Sequence, residues 1–199
     1  MSAFIYIEVG GDSKELHSRC REGFRRLLES CGFSGRMPRL VACGGRSQTF
    51  GDFKVAHSSA GSSSFVAMLL DSEDPIADIE RTWEHLTKRD GWAKPNGADD
   101  EQVLLMVTCM ETWIVSDHAV LRSHFKNFLQ ESGLPALNDL ESRDREAVQN
   151  ALVHATRNCK NAYAKGKRSF EIVGKLTPAT LEKHLPSFRR LQRVLREKL

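Results

Sequence analysis

Acidic residues follow two of the short apolar runs in this sequence. Phe4–Ile7 runs into Glu8, and Phe65–Leu70 runs into Asp71 and Glu73. Short apolar runs of this kind are typical of strands buried in a parallel sheet. Carboxylates gathered at the carboxyl ends of such strands can bind Mg²⁺. The pattern therefore predicts a metal site, of the kind that nucleases use, at one edge of an α/β sheet.

The chemistry expected of this cluster is metal-assisted phosphoryl transfer. In an extended chain the side chains of Asp71 and Glu73 point the same way. Together with Glu8 they can bind one or two divalent cations, Mg²⁺ or Mn²⁺, while one carboxylate handles protons. Asp12, which follows the glycine pair after Glu8, and Asp74 are further candidate ligands. The alternative is that Asp71 or Asp74 simply caps the next helix.

Two charged residues follow the other predicted strands. Glu111 can add a carboxylate to the metal site, or it can pair with an arginine at a helix start, where the helix dipole favours an acid. Arg46 follows two glycines at the end of the second strand. It can hold a scissile phosphate through its guanidinium group. A plain surface arginine is the competing interpretation.

A basic loop in the second half of the chain is the candidate nucleic-acid contact. Lys165, Lys167 and Arg168 lie close to Tyr163 in the sequence. Point charges beside an aromatic ring suit a nucleic-acid backbone with base stacking. A solvated basic loop without a ligand is the commoner explanation for such a pattern.

The elements that must position these residues alternate along the first half of the chain. Apolar periodicity and turn residues predict strands and helices in turn. The predicted strands are Ala3–Val9, Arg39–Cys43, Phe65–Leu70 and Gln102–Val107, and the predicted helices are about Ser13–Cys31, Ser47–His57 and Thr82–Lys88. Such alternation indicates an α/β core with a mostly parallel sheet sandwiched by helices.

The second half of the chain is predicted to be helical. A helix from Met110 to about Glu131, with a break near Asp117, leads into this half. Further helices are expected near Ser142–Asn158, Ser169–Lys175, Pro178–His184 and Ser187–Lys198. We therefore divide the chain into a core, residues 1–117, and a helical C-terminal extension, residues 118–199, packed on it as one compact unit. The apolar stripe of the last helix favours packing against the core or a partner.

Composition narrows the class of protein. Hydrophobic residues make up 40% and charged residues 28% of the 199 residues, as in globular proteins, and no apolar run approaches the length of a membrane span. The N-terminus lacks the pattern of a secretory signal, and the five scattered cysteines predict reduced thiols and a cytoplasmic protein. Residues 71–101 are acidic and residues 160–199 are basic. That distribution suits a metal site with a phosphate-binding surface, or two solvated faces of opposite sign.

The order of the acidic strand ends resembles the Toprim domain, the metal-dependent core of topoisomerases, primases and several nucleases. Glu8 matches the glutamate after the first strand of that family, Gly10–Asp12 matches its turn, and Asp71–Glu73 matches its D-x-D pair. Val9 stands where a glycine is more usual, and Glu73 replaces an aspartate. The resemblance implies a Toprim-like, Rossmann-like fold with Glu8 as general acid or base and with Asp71 and Glu73 as metal ligands.

A closer resemblance covers nearly the whole chain. The chain looks like a bacterial family of Toprim-like proteins of unknown function, usually encoded beside an ABC/SMC-like ATPase. The strings that carry it are Cys20–Arg25, Gly35–Arg39, Val41–Arg46, Leu70–Glu73, Arg89–Trp92, Met110–Trp113 with Asp117, and Tyr163–Lys167 with Ser169–Glu171. This resemblance implies an effector subunit of an anti-phage defence system that is held or licensed by the ATPase.

These observations favour a Mg²⁺- or Mn²⁺-dependent nuclease acting on DNA or RNA. The expected partners are a nucleic acid and the neighbouring ATPase, with no membrane; a homo-oligomer is left open. The alternative is a degenerate Toprim-like subunit that serves the ATPase as an interaction partner, which Val9 and Glu73 favour. A phosphatase of the aspartyl-phosphate type ranks last, because its D-x-D pair belongs to the first strand of the core.

Overall fold

The computed structural model describes residues 2–61, 64–166 and 168–199. Its described strands form one parallel sheet in the order β2-β1-β3-β4. The strands are β1 (Ser2–Glu8), β2 (Arg39–Cys43), β3 (Ser64–Asp71) and β4 (Val103–Met106). Helices flank this sheet on both faces, so the predicted α/β class with a parallel sheet sandwiched by helices is confirmed.

The helices lie close to their predicted places. They are α1 (Lys14–Leu28), α2 (Arg46–Ser59), α3 (Thr82–Asp90), α4 (Met110–Ser116), α5 (His118–Phe125), α6 (Arg145–Thr156), α7 (Ser169–Val173), α8 (Pro178–His184) and α9 (Pro186–Lys198). The predicted break at Asp117 separates α4 from α5, because the Asp117 carboxylate accepts the N–H groups of Val120 and Thr177. The helix predicted from Ser142 begins three residues later, where Asp144 caps it.

Alternate residues of β1, β3 and β4 enter two separate cores, one on each face of the sheet. On β3, Ala67 and Leu69 face the larger core, while Met68 and Leu70 face the smaller one. Helices α2 and α3 cover the smaller core, and the other helices pack on the larger one. The helices of the second half thus share a core with α1 and the sheet. Within the described ranges, no helix has the length and apolar character needed to cross a membrane.

The strand order creates a crevice at the carboxyl edge of the sheet. The chain leaves β1 towards β2 on one side and returns on the other side as β3. In open parallel sheets, ligands bind where the strand order reverses in this way, outside the carboxyl ends of the strands. Here the two strands beside that point end in Glu8 and Asp71.

Candidate active site

The two carboxylates predicted from the strand ends line one cleft. Glu8 and Asp71 share its wall with Arg145 and Lys165, and the cleft encloses about 180 Å³. Gly10 forms the turn beside it at φ +80°, a conformation that favours glycine, as the sequence predicted. Val9, at the position where the resembling family favours glycine, is buried in the larger core. The turn accepts a valine because its side chain points inward.

Glu8 holds a buried oxygen that is not satisfied by hydrogen bonds. Its Oε2 atom is inaccessible to solvent and has no hydrogen-bond partner among the described residues. The nearest cation is Arg46, whose Nη1 lies 3.6 Å away. Burial raises the pKa of Glu8 above its ordinary value, although Arg46 and the backbone N–H of Asp71 oppose that shift. The protonated form of Glu8 is therefore more favoured than that of an exposed glutamate.

Asp71 is buried beside Glu8 and fixed by the backbone. Its Oδ1 accepts the N–H of Met110, the first residue of α4, at 2.8 Å. Burial raises the pKa of Asp71 to about 7, and the negative charges of Glu111 and Glu8 add to the shift. Asp71 therefore holds the first turn of α4 and also faces the cleft; the alternative, that it caps the next helix along the chain, does not apply, because α3 begins with no side-chain cap.

Glu73 lies apart from this pair, in contact with two arginines. Its backbone adopts φ +70°, and its N–H donates to the carbonyl oxygen of Thr108 at 2.8 Å. Its Oε2 contacts the guanidinium group of Arg145 and lies 3.8 Å from Nη2 of Arg89. Asp74 is exposed and pairs with Nε of Arg89 at 3.0 Å. The carboxylates of the acidic turn are thus engaged by cations rather than turned to Glu8.

Glu111 is buried next to the site but has its own partners. Its Oε1 accepts the hydroxyl of Tyr163 at 2.7 Å, and its Oε2 accepts the amide of Gln149 at 3.2 Å. No arginine pairs with it among the described contacts, so the interpretation as an acid paired with an arginine at a helix start is not supported. Its charge still acts on Asp71. Tyr163 is 7% exposed, so base stacking on that ring, which the sequence suggested, is wrong.

Asp12 lies on the other side of the glycine turn. It is exposed, and a Cβ placed on Gly44 would lie 2.3 Å from its Oδ1. The carbonyl oxygen of Gly44 accepts the N–H groups of Val9 and Gly10, which ties this turn to the end of β2. Asp12 is not among the residues that line the cleft.

Arg46 is largely buried beside the site instead of lying on the surface. Its Nε and Nη2 donate to both carboxylate oxygens of Asp90, at 2.9 and 2.7 Å. Its Nη1 donates to the carbonyl oxygen of Asp71 and faces Glu8. Its guanidinium group also lies over the ring of Trp92. The surface interpretation is wrong because three segments of the chain, which carry Glu8, Asp71 and Asp90 with Trp92, converge on this side chain.

The basic loop divides between two locations. Lys165 is exposed and lines the cleft. Arg168 directly precedes α7, within electrostatic range of His124 and Glu171, and does not line the cleft. Lys167 lies outside the described residues. Binding of nucleic acid by Lys165, Lys167, Arg168 and Arg46 stays a prediction.

Sequence reasoning missed Arg145, Arg89 and Asp90 as site residues. Arg145 reaches the cleft from α6, far along the chain from both strand ends. Arg89 and Asp90 were visible only as members of the string Arg89–Trp92, which carried the family resemblance. The structure accounts for that string: it supplies the partners of Glu73, Asp74 and Arg46.

The donor set fits a hard divalent cation through two carboxylates. Mg²⁺ is commonly held by one or two carboxylates together with substrate phosphates and water. Glu8 offers an unsatisfied oxygen, and the Asp71 carboxylate beside it accepts one hydrogen bond from the described residues, the N–H of Met110. Across the described ranges, no group of three or more His, Cys, Asp or Glu side chains is placed to hold a metal. Metal binding by Glu73, Asp12, Asp74 or Glu111 stays a prediction.

Comparison with known proteins gives a family. The model of a domain of unknown function (DUF4276) matches residues 10–196. Comparison with curated proteins and with solved structures gave no match. Because the family model covers nearly the whole chain, this protein belongs to the DUF4276 family of domains of unknown function.

Proposed function

We propose that the protein is a Mg²⁺- or Mn²⁺-dependent, Toprim-type phosphodiesterase that cleaves DNA or RNA. The observation that carries this proposal is the pairing of Glu8 and Asp71 at the point where the strand order reverses, with a buried Glu8 oxygen lacking a hydrogen bond. Carboxylates kept unsatisfied in a cleft are typical of a site that awaits a ligand. The parallel sheet and the order of the acidic strand ends support the Toprim relationship.

Each residue of the cleft has a distinct part in such a reaction. Glu8 and Asp71 would hold the cation, which supplies charge neutralisation at the scissile phosphate and activates the attacking water. Glu8 would also take up or release the proton, the role that the resemblance to the Toprim domain implies for it. Arg46 fixes the positions of Glu8 and the end of β3 through its contacts with Asp90, Glu8 and the Asp71 carbonyl group.

The cations around the cleft favour a phosphate ester as substrate. Arg145 and Lys165 line the same cleft as the two carboxylates. Their charges lower the pKa of Glu8 and of Asp71 against the larger effect of burial, so they lie within electrostatic range of both acids. A group that carries negative charge and also binds a cation, as a phosphodiester does, matches this mixture.

The direct test is cleavage by variants that keep the shape of each acid. Purified Glu8→Gln and Asp71→Asn are expected to lose Mn²⁺-dependent cleavage of labelled single-stranded DNA, duplex DNA and tRNA. Glu84→Gln, which removes an exposed acid of α3, serves as the matched control and is expected to cleave like the wild type. Wild-type activity in either cleft variant would contradict the proposal.

A second candidate function is a non-catalytic subunit of an ATPase. It is favoured by the engagement of Glu73 with Arg89 and Arg145, which leaves two rather than three carboxylates at the cleft. The family resemblance makes an ABC/SMC-like ATPase encoded nearby the expected partner and anti-phage defence the expected setting. Calorimetry and co-purification decide between the two functions. Absence of Mn²⁺ binding in calorimetry, together with co-purification with that ATPase, would favour the subunit over the nuclease.

A further inference from the structure

Arg145 is the cleft cation that the strand-end pattern does not explain. It is the first residue of α6, and Asp144 fixes its backbone by accepting the N–H of Ala147 at 2.9 Å. Its side chain is 29% exposed and lines the cleft beside Glu8 and Asp71. The helix therefore presents a partly accessible guanidinium group directly to the carboxylates of the site.

Glu73 is the ion-pair partner of Arg145, and it can lose that contact while keeping a second cation nearby. Glu73 contacts Arg145, but it also lies 3.8 Å from Nη2 of Arg89. Arg89 is itself fixed by Asp74 and Asp90. A carboxylate that keeps one cation after losing another pays little for the exchange, whereas an isolated buried charge would be costly.

The other cations near the cleft differ from Arg145. Arg46 already donates to Asp90 and to a backbone carbonyl oxygen, so binding a ligand would break several hydrogen bonds. Lys165 is exposed and has no hydrogen-bond or ion-pair partner in the described ranges. Arg145 and Lys165 are therefore the two cleft cations that can turn to an anion. A guanidinium fork binds phosphate in a bidentate way, and an ammonium group adds a second point charge.

Resting on the proposed phosphodiesterase function, we propose that Arg145 exchanges Glu73 for a phosphate group of the nucleic-acid substrate, with Lys165 as the second contact. Glu73 then acts as a competitor that occupies Arg145 while the cleft is empty. Substrate phosphate and the Glu73 carboxylate bind the same guanidinium group, so removing one must strengthen binding of the other.

Binding without turnover tests the role of Arg145. The probe is fluorescein-labelled single-stranded DNA, measured by anisotropy in EDTA so that no cleavage occurs. Arg145→Ala is expected to weaken binding roughly 10-fold or more and to lower the salt dependence by about one charge. Arg145→Lys keeps the charge without the fork and is expected to bind at an intermediate level. Arg157→Ala, at the other end of α6, is the matched control.

The competition makes a sharper test, because it predicts a gain of binding. Glu73→Gln is expected to tighten binding several-fold by releasing Arg145. Asp74→Asn removes one negative charge from the same turn, but its carboxylate contacts Arg89 rather than Arg145, so it is expected to tighten binding less. In the Arg145→Ala background, Glu73→Gln is expected to have almost no effect, which a double-mutant cycle measures.

The outcomes separate this inference from the proposed function. If Arg145→Ala binds like the wild type, or if Glu73→Gln tightens binding no more than Asp74→Asn, the inference is overturned. It is also overturned if the wild type binds neither the oligonucleotide nor inorganic pyrophosphate. If the cycle holds while the wild type shows no Mn²⁺-dependent cleavage, Arg145 is still a phosphate-binding residue and only the catalytic proposal fails.

Discussion

Two regions of the molecule bring carboxylates and cations together, and they differ in how completely the charges are paired. The first region is a set of ion pairs made by α9, which we call the α9 clamp. In it, Arg190 and Arg193 both contact Glu80, at 3.0 and 2.7 Å, and Lys198 contacts Glu101 at 2.7 Å. The guanidinium group of Arg190 also donates to two backbone carbonyl oxygens. Each charge of the α9 clamp therefore has a partner, and the clamp ties the last helix to the segment around β4.

The cleft holds the same residue types in an incomplete arrangement. Glu8 keeps a buried oxygen without a hydrogen bond, and Lys165 has no ion-pair partner within the described residues. Charges that are incompletely satisfied in this way destabilise a fold, so their presence where the strand order reverses favours the proposed ligand site. The comparison implies that substitutions in the cleft change activity, whereas substitutions in the α9 clamp change stability.

The largest expected effect is that of Glu8→Gln on catalysis. Loss of a proton-transfer group should lower kcat roughly 10²- to 10⁴-fold. The same substitution should leave the melting temperature unchanged or raise it, because it removes the charge from a carboxyl whose Oε2 atom is buried without a hydrogen-bond partner among the described residues. Cleavage kinetics and thermal unfolding on one preparation measure both effects. A variant that unfolds more readily than the wild type would show that Glu8 belongs with the paired charges.

A partly buried carboxyl that contacts the start of α9 sharpens the comparison through pH. Glu141 accepts the N–H and hydroxyl of Ser187, and burial raises the pKa of this carboxyl from 4.5 to about 7. Between these values the unfolded chain has released the proton that the folded chain retains, so stability falls as pH rises through that window. The loss is at most about 3 kcal/mol for this group.

Glu141→Gln should remove that part of the pH dependence. Urea unfolding at pH 5 and pH 8 is expected to show a smaller difference for Glu141→Gln than for the wild type. Asp71 titrates in the same direction, since its pKa is also raised to about 7, and Asp71→Asn should subtract its share separately. If Glu141→Gln retains the full wild-type difference, Glu141 is not the buried acid responsible.

Arg190→Ala should cost stability without changing the chemistry. The side chain is buried, and its removal takes a donor from the carbonyl oxygens of Val103 and Asp100, the second of which also accepts the hydroxyl of Thr82. The expected loss is roughly 2 kcal/mol in the free energy of unfolding, with kcat unchanged at temperatures where the variant is folded. Arg193→Ala, an exposed member of the same clamp, should cost less than about 1 kcal/mol. Equal losses for the two arginines would mean that burial does not set the cost.

The sequence was enough to predict the sheet and the position of two acids, and not enough to predict their partners. Strand patterns are local, and parallel strands place their carboxyl ends at one edge of the sheet. The sequence alone therefore predicts that Glu8 and Asp71 lie close together. The contact of Tyr163 with Glu111 joins residues 52 positions apart, and that of Arg46 with Asp90 joins residues 44 apart.

Such contacts depend on how helices pack, which short-range patterns do not encode. The departure at Glu73 was visible in the sequence, but its reason was not. That carboxylate contacts Arg145, which arrives on α6 from the second half of the chain. The longer side chain of glutamate at this position is thus explained by an arginine that only the tertiary structure brings into reach.

The smallest expected effects come from a matched pair of lysines, one in each region. Lys165→Ala should weaken binding of single-stranded DNA several-fold and leave the free energy of unfolding unchanged, because the exposed ammonium group has no partner to lose among the described residues. Lys198→Ala removes a partly exposed ion pair with Glu101, so it should cost less than about 1 kcal/mol and leave binding intact. For both variants, anisotropy measures the change in DNA binding, and urea unfolding measures the change in the free energy of unfolding. If Lys198→Ala weakened binding as much as Lys165→Ala, net positive charge rather than position in the cleft would govern contact with the nucleic acid.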